Sequence, residues 1–371
     1  MNDLITPCLI LDVERVRRNA ERISSIAAAN NVRLRPHIKT HKCIEVARIQ
    51  TAGHDGGVTV STLAEARAFA VNGFDDITYA VPIEAGKFPQ VFEIIRGGTQ
   101  LNVITDDLET MRLLNDAAIA AGVRVSVFLE IDCGDHRCGV EADSDEVIDI
   151  PRFLAGGQGV SFAGILTHAG HSYNVRTSEE IEQIAHQERD LMVYTAERIQ
   201  GEGIAVPTVS IGSTPTITHI DHLDGVDEIR PGNYIFFDGF QATQGNCGFD
   251  DCGLTVLTAV THISHTYKKI VVDAGAIALS KDRGPVDLDT SCGYGRVLDV
   301  EGNDLGLRLD SLSQEHGEMH VADDGLLKLL KVGTRLRILA NHSCLTAAQH
   351  THYNVLEGGR IVDRWQIHTG W

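Results

Sequence analysis

Short apolar runs alternate with longer amphipathic runs from residue 30 to about residue 237. Eight of the short runs are rich in β-branched residues and predict strands at 32–35, 57–60, 77–81, 100–104, 124–131, 161–167, 207–211 and 226–230. The clearest helix pattern covers 178–200, where Thr177 and Glu180 fit a capping box. Strands that alternate with helices pair in parallel through right-handed crossovers, so eight such units predict a closed (β/α)8 barrel.

The pattern of apolar and polar residues changes after residue 240. Apolar and polar residues now alternate one by one, turn residues separate the runs, and no long helix pattern is present. This pattern is typical of antiparallel sheets with one solvated face. We therefore expect a barrel domain over 13–240 and an antiparallel β domain over 241–371, with the strand-like run in 1–12 joining the second.

Charge and composition exclude several classes of function. The 371 residues carry 32 basic and 51 acidic groups, a formal net charge of −19 that would repel nucleic-acid phosphates. No apolar run reaches the roughly 20 residues of a membrane span, and the N-terminus has no secretory pattern, so we expect a cytoplasmic protein. The eight cysteines are scattered, as expected for reduced thiols.

Unusual polar residues follow five of the predicted strands. In barrels of this kind, catalytic groups lie on the loops after the C-terminal ends of the strands. Here those loops read "RPHIKTHK", "IDCGDHRCG", "THAGHSY", "IGSTPT" and "RPGNY". Their common position predicts an active site on one rim of the barrel.

The loops after the seventh and eighth strands predict a phosphate site. Small residues let backbone N–H groups approach an anion, hydroxyls add donors, and these two loops often bind phosphate in barrels. The candidates are Gly212, Ser213, Thr214, Gly232 and Asn233. A phosphate site and a lysine on the same rim imply pyridoxal phosphate, whose aldehyde the lysine would hold as a Schiff base.

These motifs together resemble a known family. "TPCLILD", "RPHIKTHK", "IDCGDHRCGV", "SIGSTPT", "RPGNYIFFD" and the distal "LSQEHG" and "NHSC" are similar to those of fold-type III pyridoxal phosphate enzymes, in the D-threonine aldolase and D-serine dehydratase branch. The resemblance covers essentially the whole chain and implies an alanine-racemase-like barrel with a C-terminal β domain.

The resemblance assigns roles to particular residues. It implies that Lys39 forms the Schiff base, with Lys42 as second choice. Arg137 would lie near the cofactor's phenolic oxygen and Tyr173 near its ring nitrogen. The five residues named for the phosphate keep that role.

A metal site is predicted in "NHSC". His342 and Cys344 flank one residue, so in an extended segment both side chains point to one face, where nitrogen and thiolate suit Zn²⁺. The spacing alone also fits a buried cysteine beside a surface histidine. Resemblance favours the metal, because the family binds a divalent ion here, with H-x-C in dehydratases and H-x-D in aldolases. The roles of four further candidates stay open: Glu315, His316, His350 and His352.

The expected reaction is β-elimination from a D-3-hydroxyamino acid such as D-serine, D-threonine or D-threo-3-hydroxyaspartate, giving a 2-oxo acid and ammonia. Zinc would make the β-hydroxyl a leaving group. The alternative is aldolase-type cleavage to glycine and an aldehyde. A racemase gains nothing from the metal, and a non-catalytic pyridoxal phosphate carrier would resemble only the first 240 residues. The resemblance also implies a homodimer.

Overall fold

The computed structural model of the protein describes residues 1 and 3–371, which form nineteen strands and twelve α-helices. The strands are β1 (Cys8–Asp12), β2 (Arg33–Leu34), β3 (Val58–Val60), β4 (Asp76–Pro82), β5 (Gln100–Thr105), β6 (Val125–Asp132), β7 (Val140–Glu141), β8 (Val160–Leu166), β9 (Val209–Ile211), β10 (Glu228–Ile229), β11 (Leu254–Ser264), β12 (Lys269–Val272), β13 (Arg296–Leu298), β14 (Asp304–Arg308), β15 (Ser311–Leu312), β16 (Gly317–His320), β17 (Arg335–Leu339), β18 (His352–Glu357) and β19 (Arg360–Gln366). The helices are α1 (Val13–Ala29), α2 (Ile44–Gln50), α3 (Leu63–Ala70), α4 (Phe88–Arg96), α5 (Leu108–Ala121), α6 (Glu146–Gly156), α7 (Ser178–Gly201), α8 (Thr214–His219), α9 (Gly239–Gln244), α10 (Ala276–Leu279), α11 (Asp324–Leu329) and α12 (Ser343–Ala347).

All eight predicted barrel strands are present, and they form one parallel sheet. Its order is β2-β10-β9-β8-β6-β5-β4-β3, with the short β7 added beside β6. A parallel bridge between His37 and Thr59 joins the two ends of this order, so the sheet closes into a barrel. The prediction of a (β/α)8 barrel is therefore confirmed, and the capping box of Thr177 and Glu180 begins α7 as expected.

The second sheet contains the C-terminal strands together with β1. Its main order is β14-β13-β17-β11-β1-β18-β19, and β12, β16 and β15 extend from β11. Its strand pairs are antiparallel except β1 with β18, which is parallel. Parallel neighbours need a long connection, and here most of the chain separates the two strands. The expected antiparallel sheet is thus a mixed one.

The chain divides into two compact units. One contains Met1–Ala20, Thr40–Glu45 and Asn233–Ile367, and the other contains Glu21–Lys39, Val46–Gly232 and His368–Trp371. We call them the β unit and the barrel unit. No helix formed by the described residues has the length and apolar character that a membrane span requires.

A buried ion-pair network lies near the N-terminal ends of the barrel strands. Arg35 is only 4% exposed. Its Nε donates to Glu228 Oε2 at 2.7 Å, and its Nη1 and Nη2 donate to Asp76 at 2.9 and 2.6 Å. Glu228 also accepts a hydrogen bond from Ser210 Oγ. The guanidinium thus compensates two carboxylates at the strand ends, which is a structural role.

Replacing Arg35 with leucine is expected to lower the free energy of unfolding by about 3–5 kcal/mol, because it leaves the buried Glu228 carboxylate without its closest cation. Arg33 is the matched control. Its guanidinium is half exposed and lies 3.5 Å from the same carboxylate, so Arg33→Leu should cost at most about 1 kcal/mol. Urea unfolding followed by circular dichroism measures both. Equal losses in the two variants would contradict a structural role specific to Arg35.

Candidate active site

Lys39 lies in a 3-10 turn, Ile38–Thr40, directly after β2. Backbone hydrogen bonds hold the start of this turn, since His37 N donates to Pro231 O and Thr59 N donates to Pro36 O. The lysine side chain is exposed. The first barrel strand, β2, is therefore followed by a turn that places Lys39 after its C-terminal end, as the sequence predicted.

His168 shows which charges converge on this rim. Burial, followed by the positive charges of Lys39, Arg137 and Arg230, lowers the pKa of His168 well below its ordinary value. These residues follow four different strands, so their mutual influence places the loops after β2, β6, β8 and β10 near one another. The result is a neutral imidazole beside three cations, in a protein whose net charge is −19.

The loop that carries Arg137 has a defined shape. Asp132 Oδ1 accepts hydrogen bonds from the backbone N–H groups of Gly134 and His136. Gly139 has φ +104°, and a Cβ there would lie 2.6 Å from Asp132 N, so only glycine fits. The guanidinium of Arg137 lies 3.9 Å from the carboxylate oxygens of Glu130 and Asp135. That distance exceeds a direct hydrogen bond, and the guanidinium also hydrogen-bonds with Cys138, so the contact of Arg137 with the cofactor stays a prediction.

The loop after β9 is held by contacts within the protein. Gly212 has φ +114°, and its N–H donates to Glu188 Oε1 at 3.0 Å. Ser213 caps α8, and its N–H donates to Thr216 Oγ1 at 3.0 Å. Two of the backbone donors expected to face a phosphate are therefore already used. The assignment of Gly212, Ser213, Thr214 and Gly232 to a phosphate stays a prediction that rests on the hydroxyls and the other N–H groups.

Glu188 is a site residue that the sequence reasoning missed. It lies on the buried face of α7, and its Oε1 also accepts from the N–H of Ala169 at 3.3 Å. Burial raises the pKa of this carboxyl group. Glu188 thereby ties together the loops after β8 and β9. The signal was available, because Glu188 occupies a core position at helical spacing from Ile184 and Met192.

Tyr173 ends a second 3-10 turn, Gly170–Tyr173, in the loop after β8. Its side chain is partly buried. The position agrees with a rim residue, and its contact with the cofactor ring stays a prediction.

His342 and Cys344 are brought together in the β unit, although not in the way the spacing suggested. The segment is not extended throughout: His342 is the N-cap of α12, and Cys344 lies in the first turn of that helix. The two side chains nevertheless hydrogen-bond to each other. The expectation of an extended segment was wrong because the chain turns into a helix at Ser343.

The electrostatics of this pair favour a thiolate. Burial alone would lower the pKa of His342, but its hydrogen bonds with Asp282 and Cys344 and the charge of Cys344 raise it to about 11. Burial would raise the pKa of Cys344, but the hydrogen bond and charge of His342 and the hydrogen bond of Thr40 hold it below its ordinary value. A ring nitrogen and a sulfur that hydrogen-bond to each other are donor atoms that converge, which fits Zn²⁺.

Asn233 belongs with this pair rather than with a free anion site. Its Nδ2 donates to Asp238 Oδ2 at 2.7 Å and lies 3.2 Å from Ser343 Oγ and 3.6 Å from Cys344 Sγ. Asp238 also accepts from Ser343 N at 2.9 Å. The side-chain donors of Asn233 are therefore engaged, and a phosphate role would fall to its backbone.

The four open candidates have local contacts. His350 Nε2 lies 3.0 Å from the backbone oxygen of Ala278, and His352 Nδ1 lies 2.9 Å from Thr351 Oγ1. Glu315 accepts from its neighbour Gln314, and the backbone oxygen of His316 accepts from Ser313 N. These contacts are local, and the roles of the four residues stay open.

A different group of metal-type donors lies in the barrel unit. Ligand atoms of His186, Asp221 and His222 lie within 4.8 Å of one another. Arg189 donates a hydrogen bond to His222, and that positive charge opposes a dication there. This cluster can therefore serve as a control for metal bound at the surface.

Comparison with known proteins agrees with this arrangement. Residues 11–239 match the N-terminal domain of alanine racemase, and residues 253–356 match a putative serine dehydratase domain. The D-threo-3-hydroxyaspartate dehydratase of Delftia sp. (strain HT23) is 39% identical over 99% of this chain and 98% of its own length. The D-serine dehydratase of Dictyostelium discoideum is 35% identical over 100% of this chain and 98% of its own length.

Solved structures extend the likeness. The Delftia dehydratase superposes with a TM-score of 0.96 at 38% identity, covering 100% of this chain and 99% of that one. A cysteine-to-alanine mutant of a D-threo-3-hydroxyaspartate dehydratase, in the metal-free form, also superposes with a TM-score of 0.96. The D-threonine aldolase of Arthrobacter sp is less similar, at 26% identity over 98% of this chain and 92% of its own length.

The fold and the matching domains define a fold-type III pyridoxal phosphate enzyme. Within that class, the chain belongs to the D-threonine aldolase and D-serine dehydratase family.

Proposed function

We propose that the protein dehydrates a D-3-hydroxyamino acid to a 2-oxo acid and ammonia, using pyridoxal phosphate and Zn²⁺. The observation that carries this proposal is the hydrogen-bonded pair of His342 and Cys344. A racemase needs no Lewis acid at a β-hydroxyl, whereas elimination of that hydroxyl does. The more similar relatives that we compared are dehydratases, which favours elimination over aldol cleavage.

The charges on the barrel rim support an anionic cofactor there. Lys39 and Arg137 both act on His168 in a strongly acidic protein, and pyridoxal phosphate carries a phosphate and a phenolic oxygen. The residues proposed to hold it are Lys39, Arg137, Tyr173, Gly212, Ser213, Thr214, Gly232 and Asn233. When bound, this cofactor supplies an electron sink for the negative charge that develops at Cα.

The chain's own residues would then perform the proton transfers. The Lys39 amine takes the α-proton, and the electron pair of that bond forms the Cα–Cβ double bond as hydroxide leaves Cβ. His342 and Cys344 would place the metal's Lewis acidity on that hydroxyl. His168 stays neutral because its pKa is lowered, so it adds no further positive charge beside Lys39. The released enamine takes up water to give the 2-oxo acid and ammonia.

The products distinguish this reaction from its alternative. We expect ammonia and a 2-oxo acid in equal amounts from D-serine, D-threonine or D-threo-3-hydroxyaspartate, with the L-enantiomers as the control. A chelator should suppress turnover, because the leaving hydroxyl then lacks its Lewis acid. Glycine and an aldehyde without ammonia would establish aldol cleavage instead.

The expected assembly rests on the family resemblance, and the expected location rests on the sequence pattern. We propose a homodimer that acts in the cytoplasm. Analytical ultracentrifugation of the purified protein tests the first statement, and cell fractionation tests the second.

A further inference from the structure

Cys344 has a hydrogen-bond partner far away in the sequence. The Sγ atom lies 3.2 Å from the hydroxyl oxygen of Thr40, which is 304 residues earlier in the chain. Thr40 is fully buried, and both residues belong to the β unit. This hydrogen bond fixes the direction in which the sulfur points.

His342 has a partner of the opposite kind. Its Nδ1 lies 2.5 Å from Asp282 Oδ2. Asp282 is itself fixed, because its Oδ1 accepts from Gly284 N at 2.7 Å. A carboxylate on Nδ1 leaves Nε2 as the nitrogen that can bind a metal, and it fixes the orientation of the ring.

We propose that Thr40 and Asp282 are positioning residues of the metal site, with Thr40 orienting the sulfur of Cys344 and Asp282 orienting the ring of His342. This inference rests on the proposed function, since it requires that His342 and Cys344 bind zinc. Neither residue touches the substrate, and each acts through the donor atom that it holds.

The surroundings of Thr40 explain why the hydroxyl can hold the sulfur in one direction. The next residue, His41, is also fully buried, and its backbone oxygen accepts from Tyr353 Oη at 2.8 Å. The rings of Phe236 and Tyr353 meet edge-on with centroids 5.5 Å apart, and His41 packs against the same phenylalanine. The backbone on the C-terminal side of Thr40 is thus fixed by packing, and its hydroxyl has a defined target.

Matched substitutions separate orientation from packing. Thr40→Val keeps the shape and removes the hydroxyl, whereas Thr40→Ser keeps the hydroxyl. Asp282→Asn keeps the acceptor for Gly284 and removes the charge at His342. Asp287→Asn is its control, since Asp287 lies exposed in the same loop and carries the same charge.

The measurement is the affinity for Zn²⁺. The enzyme with its pyridoxal phosphate is first stripped of metal, and it then competes with a chromophoric chelator for added Zn²⁺. We expect Thr40→Val and Asp282→Asn each to weaken Zn²⁺ binding about 10–100-fold, the range that loss of such an outer partner produces. Thr40→Ser and Asp287→Asn should stay near the wild-type affinity. Turnover of the weakened variants should recover as Zn²⁺ is raised to saturation, which a folding defect would not allow.

The outcomes distinguish the inference from the function on which it rests. If Cys344→Ala loses zinc while Thr40→Val and Asp282→Asn bind it as tightly as wild type, the metal site stands and the positioning roles are wrong. If Cys344→Ala binds zinc as wild type does, the metal assignment itself is wrong, and the positioning roles fall with it. A His186→Ala variant lacks one donor of the surface cluster of His186, Asp221 and His222. Zinc that this variant still binds is therefore not bound by that cluster.

Discussion

Lys39→Ala is expected to abolish turnover, with a loss of about 10³-fold or more. Its amine is proposed to bind the cofactor and to take the α-proton, and positioned proton transfer alone contributes about 10²–10⁴-fold. Lys39 lies in the turn after β2, and its charge acts on His168 together with that of Arg137. The visible absorption of the lysine-bound cofactor should disappear from the variant. Borohydride reduction of the wild type, followed by peptide mapping, should place the pyridoxyl group on Lys39.

Lys42→Ala is the matched control, since it removes an amine three residues away in the same basic segment. Lys42 already has a left-handed backbone, with φ +50°, so alanine adds little strain there. This variant should keep the cofactor absorption. A wild-type spectrum in Lys39→Ala, or its loss in Lys42→Ala alone, would move the assignment to Lys42.

Cys344→Ala is expected to lose bound zinc and to lower turnover by about 10²–10³-fold or more, because the Lewis acid on a leaving hydroxyl contributes several kcal/mol. The cofactor absorption should remain, since Lys39 is unchanged. Metal content by atomic absorption and absorbance of the same sample measure the two effects together.

Cys247→Ala controls for the loss of a thiol. Cys247 is a free, partly buried cysteine in the β unit, and it hydrogen-bonds with Cys252. Its replacement should leave both the metal content and the turnover near the wild-type values. Zinc retained in full by Cys344→Ala would refute the metal assignment.

The sequence predicted the parts of this structure that rest on local pattern. All eight barrel strands were found, because buried parallel strands leave short β-branched runs that periodicity detects. Lys39 and Arg137 follow the strands they were expected to follow, since the rim position is a property of the fold class. The pairing of His342 with Cys344 was also expected. The expected extended segment was wrong, because the spacing of the two residues does not show that a helix begins at Ser343.

The parts that escaped prediction depend on contacts between distant segments. Thr40 stands inside a motif singled out at the start, yet its partner lies 304 residues away. Asp282 lies 60 residues from His342, in a loop with no distinctive pattern. Arg35 looked like one more cation in a basic segment, and only the closed barrel shows that its side chain meets Asp76 and Glu228.

The central place of β1 in the second sheet has a consequence for folding during synthesis. Its two neighbours are β11, paired through residues such as Leu257, and β18, paired through residues such as Tyr353. The edge that pairs with β11 therefore lacks its partner until the chain has been made through Leu257, and the edge that pairs with β18 lacks its partner until the chain has been made through Tyr353. Pairings of such sequence separation form slowly, and unpaired apolar strand edges favour aggregation. The apolar residues Leu9, Ile10 and Leu11 of β1 therefore stay exposed during much of synthesis. We expect the nascent chain to depend on chaperones most at this strand.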